Sequence, residues 1–329
     1  MNMAFSIFTG RKKVMNLVIN DHSIRYIEVK QRNPIVIAAK GERLLPAGII
    51  SEGKIQDIET LSLILDECIA DWGIKNREVR FLVPDSLVII RKVSIPVDVK
   101  EDEIHGFLYL EFGSSIHLPF DEPVFDTVPL SLEKNKREIL LVAAPEEYVL
   151  EYTNLLKGAS LKPVAADISP LASYRLYHFL GLVEEKETLM TIQFDIGVVS
   201  MCIFEGTFPI FMRHIPVEIQ SNWEVQLGRA KTEEMSFAGN ANEFVFQFED
   251  IYKEIDKLLE FYRYSLTHGK NSITKILVNG DHPRMTTIIN EMSRRFEIQV
   301  ATIETSLPEA AFGVSREYHL ALGLGLKEG

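Results

Sequence analysis

The stretch from Asn16 to Val29 reads as an apolar segment, a polar tight turn and a second apolar segment, which predicts strand, turn, strand. Ile35 to Leu44 and Arg80 to Val93 are β-branched runs bounded by Asn, Gly and Pro, and are also expected as strands. Between them the period changes. From Ile58 to Trp72, Leu61, Leu63, Ile64, Leu65, Cys68 and Ile69 share one broad face while Glu59, Asp66 and Glu67 point away, the spacing of a helix with its apolar face in a core. A compact αββα-like stretch follows. It has a helix from Lys100 to Ser115, strands near Val124–Leu132 and Glu138–Ala143 joined by a polar tip at Glu133, and a helix from Pro145 to Gly158.

A helix near Pro170–Leu180 leads to the charged residues Glu184–Glu187, where the pattern restarts. Leu189 to Arg213 repeats strand, turn, strand, so the chain divides into halves of related shape, 1–186 and 187–329. A helical, charged stretch then runs to His268. Within it, Ile251, Ile255, Leu258, Leu259 and Tyr262 mark Phe246–Leu266 as a long amphipathic helix. A buried strand from Ile273 ends at Gly280, and the chain closes with a strand after Phe296 and a helix from Arg316 whose small residues permit close packing. The neighbours Phe261, Tyr262 and Tyr264 are read as core packing rather than a stacking platform.

The repeated turn is where chemistry is expected. Asp195 could hold a magnesium ion through water, and Gly197 would let backbone N–H groups approach phosphate. Matching Ser200 to Ser23 sets Val18, Ile19 and Asn20 in the corresponding places, so one jaw of a nucleotide clamp looks intact and the other altered.

Composition narrows the classes. With 46% hydrophobic and 25% charged residues, this is a soluble, folded protein large enough for two domains. A net charge of −12 disfavours nucleic acid and anionic lipid, and no basic patch stands out. Cys68 and Cys202 fit buried thiols in a reducing cytoplasm. No apolar run approaches the roughly 20 residues needed to span a bilayer, and Phe5, Ile7 and Phe8 precede Arg11, Lys12 and Lys13, the reverse of a secretory signal. That first segment is expected to pack on the domain or touch a membrane lightly. His105, His117, His178, His214, His268, His282 and His319 show no metal-ligand spacing, and no Gly-x-Ser-x-Gly nucleophile pattern occurs.

Several runs together resemble PilM, an actin-like protein family of type IV pilus assembly related to the cell-division protein FtsA. They are FLVPDSLVIIRKVSIP from Phe81, the acidic Glu101, Glu103 and Glu111, IHLPFDEPVFD from Ile116, EILLVAAPEEYV from Glu138, LLKGASLKPVAADISPLA from Leu155 and FDIGVVSMCIFEGTFPIFMRHIP from Phe194. The resemblance covers nearly the whole chain. It implies a duplicated actin-like, ribonuclease H-like α/β fold, with a small α+β subdomain inserted at about 97–161 and a helical subdomain at about 217–270. It also implies a cytoplasmic protein held at the inner membrane by a partner, gripping the N-terminal tail of a PilN-like membrane protein in a cleft beside the insertion, among other pilus platform proteins.

For cofactors it implies ATP and magnesium. Asp195 would be the indirect magnesium ligand, Gly197 and Val198 with Ile196 would offer N–H groups, and Gly280 would be the first of an adenosine-side glycine pair whose second member is Asp281 here. Glu254 and Lys257 match a ribose- and base-reaching pattern on the long helix, against the plain alternative of ordinary i,i+3 pairing on a solvated face. Asp167 matches an acidic hinge position. In the first loop, Asn20 and His22 are the groups left near phosphate, with the displaced Asp21 as an alternative metal contact. The expectation is a scaffold with weakened or lost nucleotide binding. Its rivals are an ATP-gated switch in the same platform, a sugar-kinase-like enzyme, and a component of type II secretion.

Overall fold

The structure, a computed structural model, describes residues 14–132, 136–217, 222–227, 233–239, 241–306 and 313–327. The first segment, Met1 to Lys13, and Glu133 at the predicted hairpin tip lie outside the described residues.

In the first half, β1 (Met15–Asn20), β2 (Ser23–Gln31) and β3 (Val36–Leu44) form an antiparallel meander. A small hairpin, β4 (Ile50–Ser51) and β5 (Lys54–Ile55), leads into α1 (Ile58–Trp72). That helix starts where the Asp57 side chain accepts from Thr60 N–H at 3.0 Å and stops at Gly73, whose left-handed φ of 64° suits the residue without a Cβ. Next come β6 (Glu78–Val83), β7 (Ile89–Pro96), α2 (Ile104–Glu111), β8 (Pro123–Leu132), β9 (Lys136–Pro145), α3 (Glu146–Gly158), β10 (Lys162–Ile168) and α4 (Ser169–Phe179). The single strand expected over Arg80–Val93 is two, because Pro84 has no N–H for a sheet ladder and Asp85–Leu87 turns the chain out of one sheet into another. The helix expected over Lys100–Ser115 is shorter for a similar local reason: Glu101–Glu103 form a 3₁₀ turn, and α2 ends at Glu111.

The second half comprises β11 (Thr188–Phe194), β12 (Val198–Glu205), β13 (Phe208–Pro216), a hairpin of β14 (Trp223–Leu227) and β15 (Glu233–Phe237), α5 (Ala241–Glu260), β16 (Lys275–Asn279), α6 (Met285–Arg295), β17 (Gln299–Ala301), α7 (Ile303–Ser306) and α8 (His319–Gly325). The β14–β15 hairpin interrupts what the charge pattern suggested was wholly helical. After α5 the helix widens into one π turn, Phe261–Leu266, which buries Tyr262 and leaves Tyr264 exposed.

Both halves build the same sheet. Strand orders β10-β6-β1-β2-β3 and β17-β16-β11-β12-β13 are alike, each an antiparallel meander extended by two parallel strands. Helices α1 and α3 cover the outer face of the first sheet, where Leu61, Leu65, Tyr152 and Leu156 meet Leu17, Ile19 and Phe81. On the outer face of the second sheet, α5 and α6 supply Ile251, Ile255, Ile288 and Met292. The two sheets face each other across α4 and α8, with Ala172, Leu176, Leu322 and Leu324 in one core with Val18, Leu82, Phe204 and Leu277.

A separate three-stranded sheet, β7-β9-β8, carries α2 on a small core of its own. This sheet takes in β7, which precedes residue 97. Conversely α3, grouped with the insertion by sequence, buries Tyr152, Leu155 and Leu156 against the first sheet. No helix among the described residues is long and apolar enough to cross a membrane.

Candidate functional site

The β1–β2 and β11–β12 turns face one another across a cleft of about 550 Å³. Asn20, Asp21 and His22 line it from one side, Asp195, Gly197 and Val198 from the other, with Asp85 and Ser169 beside them. Strand pairing corrects the correspondence between the turns. Asn20 pairs with Ser23, and Asp195 donates its N–H to the Val198 carbonyl at 3.0 Å, so Asn20 stands where Asp195 stands and His22 where Gly197 stands. Val18 lies two residues back, paired with Arg25 and buried in the core between the sheets. The first turn thus keeps the shape of the second while replacing its carboxylate by an amide and its glycine by an imidazole.

That imidazole crosses the cleft. His22 Nε2 lies 2.7 Å from Asp281 Oδ2, and the Arg25 guanidinium reaches the same oxygen while its Nε donates to Glu42 at 2.6 Å. The side chains of His22, Arg25 and Asp281 are only 5–6% exposed. Burial by itself would raise the Asp281 carboxyl, but the His22 and Arg25 charges and their hydrogen bonds hold it well below the usual carboxylate range. Burial works against the charge of Arg25 as well, and Asp281 with Glu42 keeps its pKa raised. Two residues of the first domain, one in its turn and one on β2, therefore form a buried ionic clasp with a residue just beyond β16 of the second.

Asp195 is drawn into this cluster. Burial, then the neighbouring Asp281 charge, push its carboxyl well above the carboxylate range, although Gln193 Nε2 donates to it at 2.7 Å. Of these two neighbouring carboxyls, Asp281 is the one held toward its charged form and Asp195 the one pushed toward its neutral form. Asp21 is also committed, its two oxygens accepting from the Glu52 and Gly53 N–H groups at 2.8 and 3.0 Å and tying the turn to the β4–β5 hairpin. Asp85 accepts from Ser169 Oγ at 2.6 Å, and burial raises its carboxyl.

Gly280 sits next to the clasp with φ 129°, and a Cβ there would lie 2.0 Å from the Phe194 carbonyl oxygen. Close backbone packing accounts for this glycine. Glu254 and Lys257, both on α5, pair with each other at 2.6 Å, and Glu254 also meets Arg213 at 2.6 Å. Neither lines the cleft. Asp167 is held between Arg175 and Lys327. The sequence reading passed over Arg25 and Asp85; the signal for Arg25 was a charge at an inward position of an otherwise apolar strand, which needs a buried partner. Among the described residues, no group of three or more His, Cys, Asp or Glu side chains is placed to hold a metal ion.

A second cleft lies between two sheet edges. Val124, Phe125 and Asp126 of edge strand β8 face Ala166, Asp167 and Ile168 of edge strand β10 across about 510 Å³, with Val149 of α3 and Val88 among the apolar residues completing it. Two strand edges flanking an apolar trough can take an extended peptide.

The family model described as type IV pilus assembly protein PilM matches residues 17–321. The fold resembles that of a solved PilM-PilN type IV pilus biogenesis complex, with a TM-score of 0.75, 19% sequence identity, and coverage of 95% of this chain and 98% of that one. Ethanolamine utilization protein EutJ from Carboxydothermus hydrogenoformans is a more distant likeness, with a TM-score of 0.50, 11% identity, and coverage of 95% and 89%. No curated protein matches the chain.

Proposed function

The chain belongs to the PilM family of type IV pilus assembly proteins and has the two-domain actin-like fold, and from that premise we propose that it is a cytoplasmic scaffold that grips the N-terminal tail of a PilN-like inner-membrane protein. The observation that carries this reading is the apolar trough between the β8 and β10 edges, beside the inserted sheet. A tail entering it as an extra strand gains main-chain hydrogen bonds from an edge and places alternate side chains on Val124, Val142 and Val149. Through that partner, and with other platform proteins, it is stationed at the inner membrane.

In the same reading, nucleotide binding is weakened or lost. The clasp supports this, because a nucleotide phosphate entering between the turns meets the Asp281 carboxylate and must separate it from His22 and Arg25. The Asp195–Gly197–Val198 turn, which keeps its shape, favours an ATP-gated switch as the second reading.

One calorimetric experiment separates them. A synthetic peptide of the tail of a PilN-like protein from the same organism is titrated into the protein with and without Mg-ATP. Micromolar binding, about −8 kcal/mol, that is unchanged by nucleotide and weakened about tenfold or more by Val124→Asp, a 42% exposed position, supports the scaffold. Affinity that moves with Mg-ATP favours the switch. Absence of saturable peptide binding refutes both.

A further inference from the structure

The end of the first sheet remote from the turns carries a cationic pocket of about 770 Å³, lined by Lys30, Arg32, Arg80 and Asn16 with Val14, Val29 and Gly325. Lys30 comes from the end of β2, Arg32 from the residue just after it and Arg80 from β6. Arg32 and Arg80 both donate to one acceptor, the Lys327 carbonyl oxygen, at 2.6 and 2.7 Å, so two guanidinium heads converge. Burial, then the neighbouring charges of Arg32 and Arg175, lower the Arg80 pKa. Behind it, Arg175 and Lys327 share a single carboxylate, Asp167. Among the described residues, none of Lys30, Arg32 and Arg80 makes an ion pair. Asp167 is the one carboxylate acting on Arg80, and in a protein of net charge −12 such an excess of cations over anions at one place needs an explanation.

Asn16 supplies an independent one. It is 2% exposed, its Nδ2 donates to the Ile27 carbonyl at 3.2 Å, and its Oδ1, buried, has no hydrogen-bond partner. A buried acceptor left unpaired costs free energy, so a group bearing a donor is wanted beside the cations.

We propose that this pocket binds a phosphate monoester, the dianion seated between Arg32 and Arg80 with Lys30 closing over it, and a hydroxyl or amine of the same molecule donating toward Asn16. Converging planar forks suit three terminal oxygens better than the two of one carboxylate, and a dianion offsets two cations at one point. The phosphate source is a soluble metabolite or a lipid headgroup, with the same recognising atoms in both cases. The site is separate from the cleft between the turns and does not depend on the fate of nucleotide there.

The test uses the whole chain and three probes: O-phosphoserine, phosphatidylcholine vesicles containing phosphatidic acid, and a short Glu-rich peptide. Titrations are repeated on Lys30→Ala/Arg32→Ala, whose two positions are exposed, and on His22→Gln, which alters the cleft between the turns, the fold of each variant being checked by its melting temperature. The expected result is saturable binding of O-phosphoserine or of the vesicles, weakened about tenfold or more by the double substitution and unchanged by His22→Gln. The first probe binding alone identifies a soluble ligand and the second a headgroup. The proposal is overturned if neither binds, if the double variant binds equally well, if His22→Gln abolishes binding, or if the Glu-rich peptide binds more tightly than both phosphate probes.

Discussion

Replacing Asp281 by Ala removes the second domain's half of the clasp. The variant loses two charge-assisted hydrogen bonds, each worth roughly 1.5–3 kcal/mol, and strands Arg25, 6% exposed, with Glu42 alone. Part of this is recovered, because Asp195 is relieved of its anionic neighbour. A net loss of about 3 kcal/mol is expected, the scale of breaking a buried pair from one side. Urea unfolding measures it. The two tryptophans, Trp72 on α1 and Trp223 on β14, report one domain each, so Trp→Phe versions show whether the halves now unfold apart. A cycle with His22→Ala should give a coupling of about 1–3 kcal/mol. Additive effects of the two substitutions, or a loss below about 1 kcal/mol for Asp281→Ala, would refute the argument that these side chains hold the turns together.

Gly280→Ala should fail to accumulate as folded protein, since its Cβ meets the Phe194 backbone at 2.0 Å where no side-chain rotation relieves it; a soluble variant with wild-type melting would contradict this. His282, whose pKa burial lowers to about 4, makes stability depend on acid. The unfolded chain takes up its proton near pH 6.5 while the folded chain does not. Its contribution is therefore complete above that pH and declines as pH falls toward 4, by up to about 3 kcal/mol. The stability difference between wild type and His282→Asn should shrink over that range, and a constant difference from pH 7 to 4.5 would count against it.

The sheets were legible because burial on both faces leaves long apolar runs, and the repeat of strand, turn, strand exposed the duplication. What escaped was decided by contacts between distant residues. The correspondence of the two turns depends on hairpin pairing, which a serine match displaced by two positions. Asp281 entered only as a departure from an adenosine-side glycine pair, whereas its partners His22 and Arg25 lie more than 250 residues earlier in the chain. The β14–β15 hairpin was overlooked although Trp223, Val225 and Leu227 alternate with polar residues opposite Met235 and Phe237, because its two five-residue strands stand in a charged stretch leading into a long helix. The basic pocket was invisible for the same reason as the clasp: Lys30, Arg32, Arg80 and Lys327 are separated in sequence and meet only at the foot of the sheet.

Helices α4 and α8 change places between the halves. α4 follows the last strand of the first sheet yet stacks Tyr174 on Phe204 of the second, with ring centres 4.6 Å apart. α8 ends the second half yet sets Gly325 against Val29 and Asn16 of the first, and passes so near α4 that a Cβ on Gly323 would lie 2.0 Å from the Ala172 carbonyl oxygen. During synthesis the first sheet therefore emerges from the ribosome with its inner face covered by α4 alone, until the residues around Leu322 have been made. Neither half can close its inner face before α8 has been made, and for that interval the nascent protein exposes apolar surface that the finished fold buries.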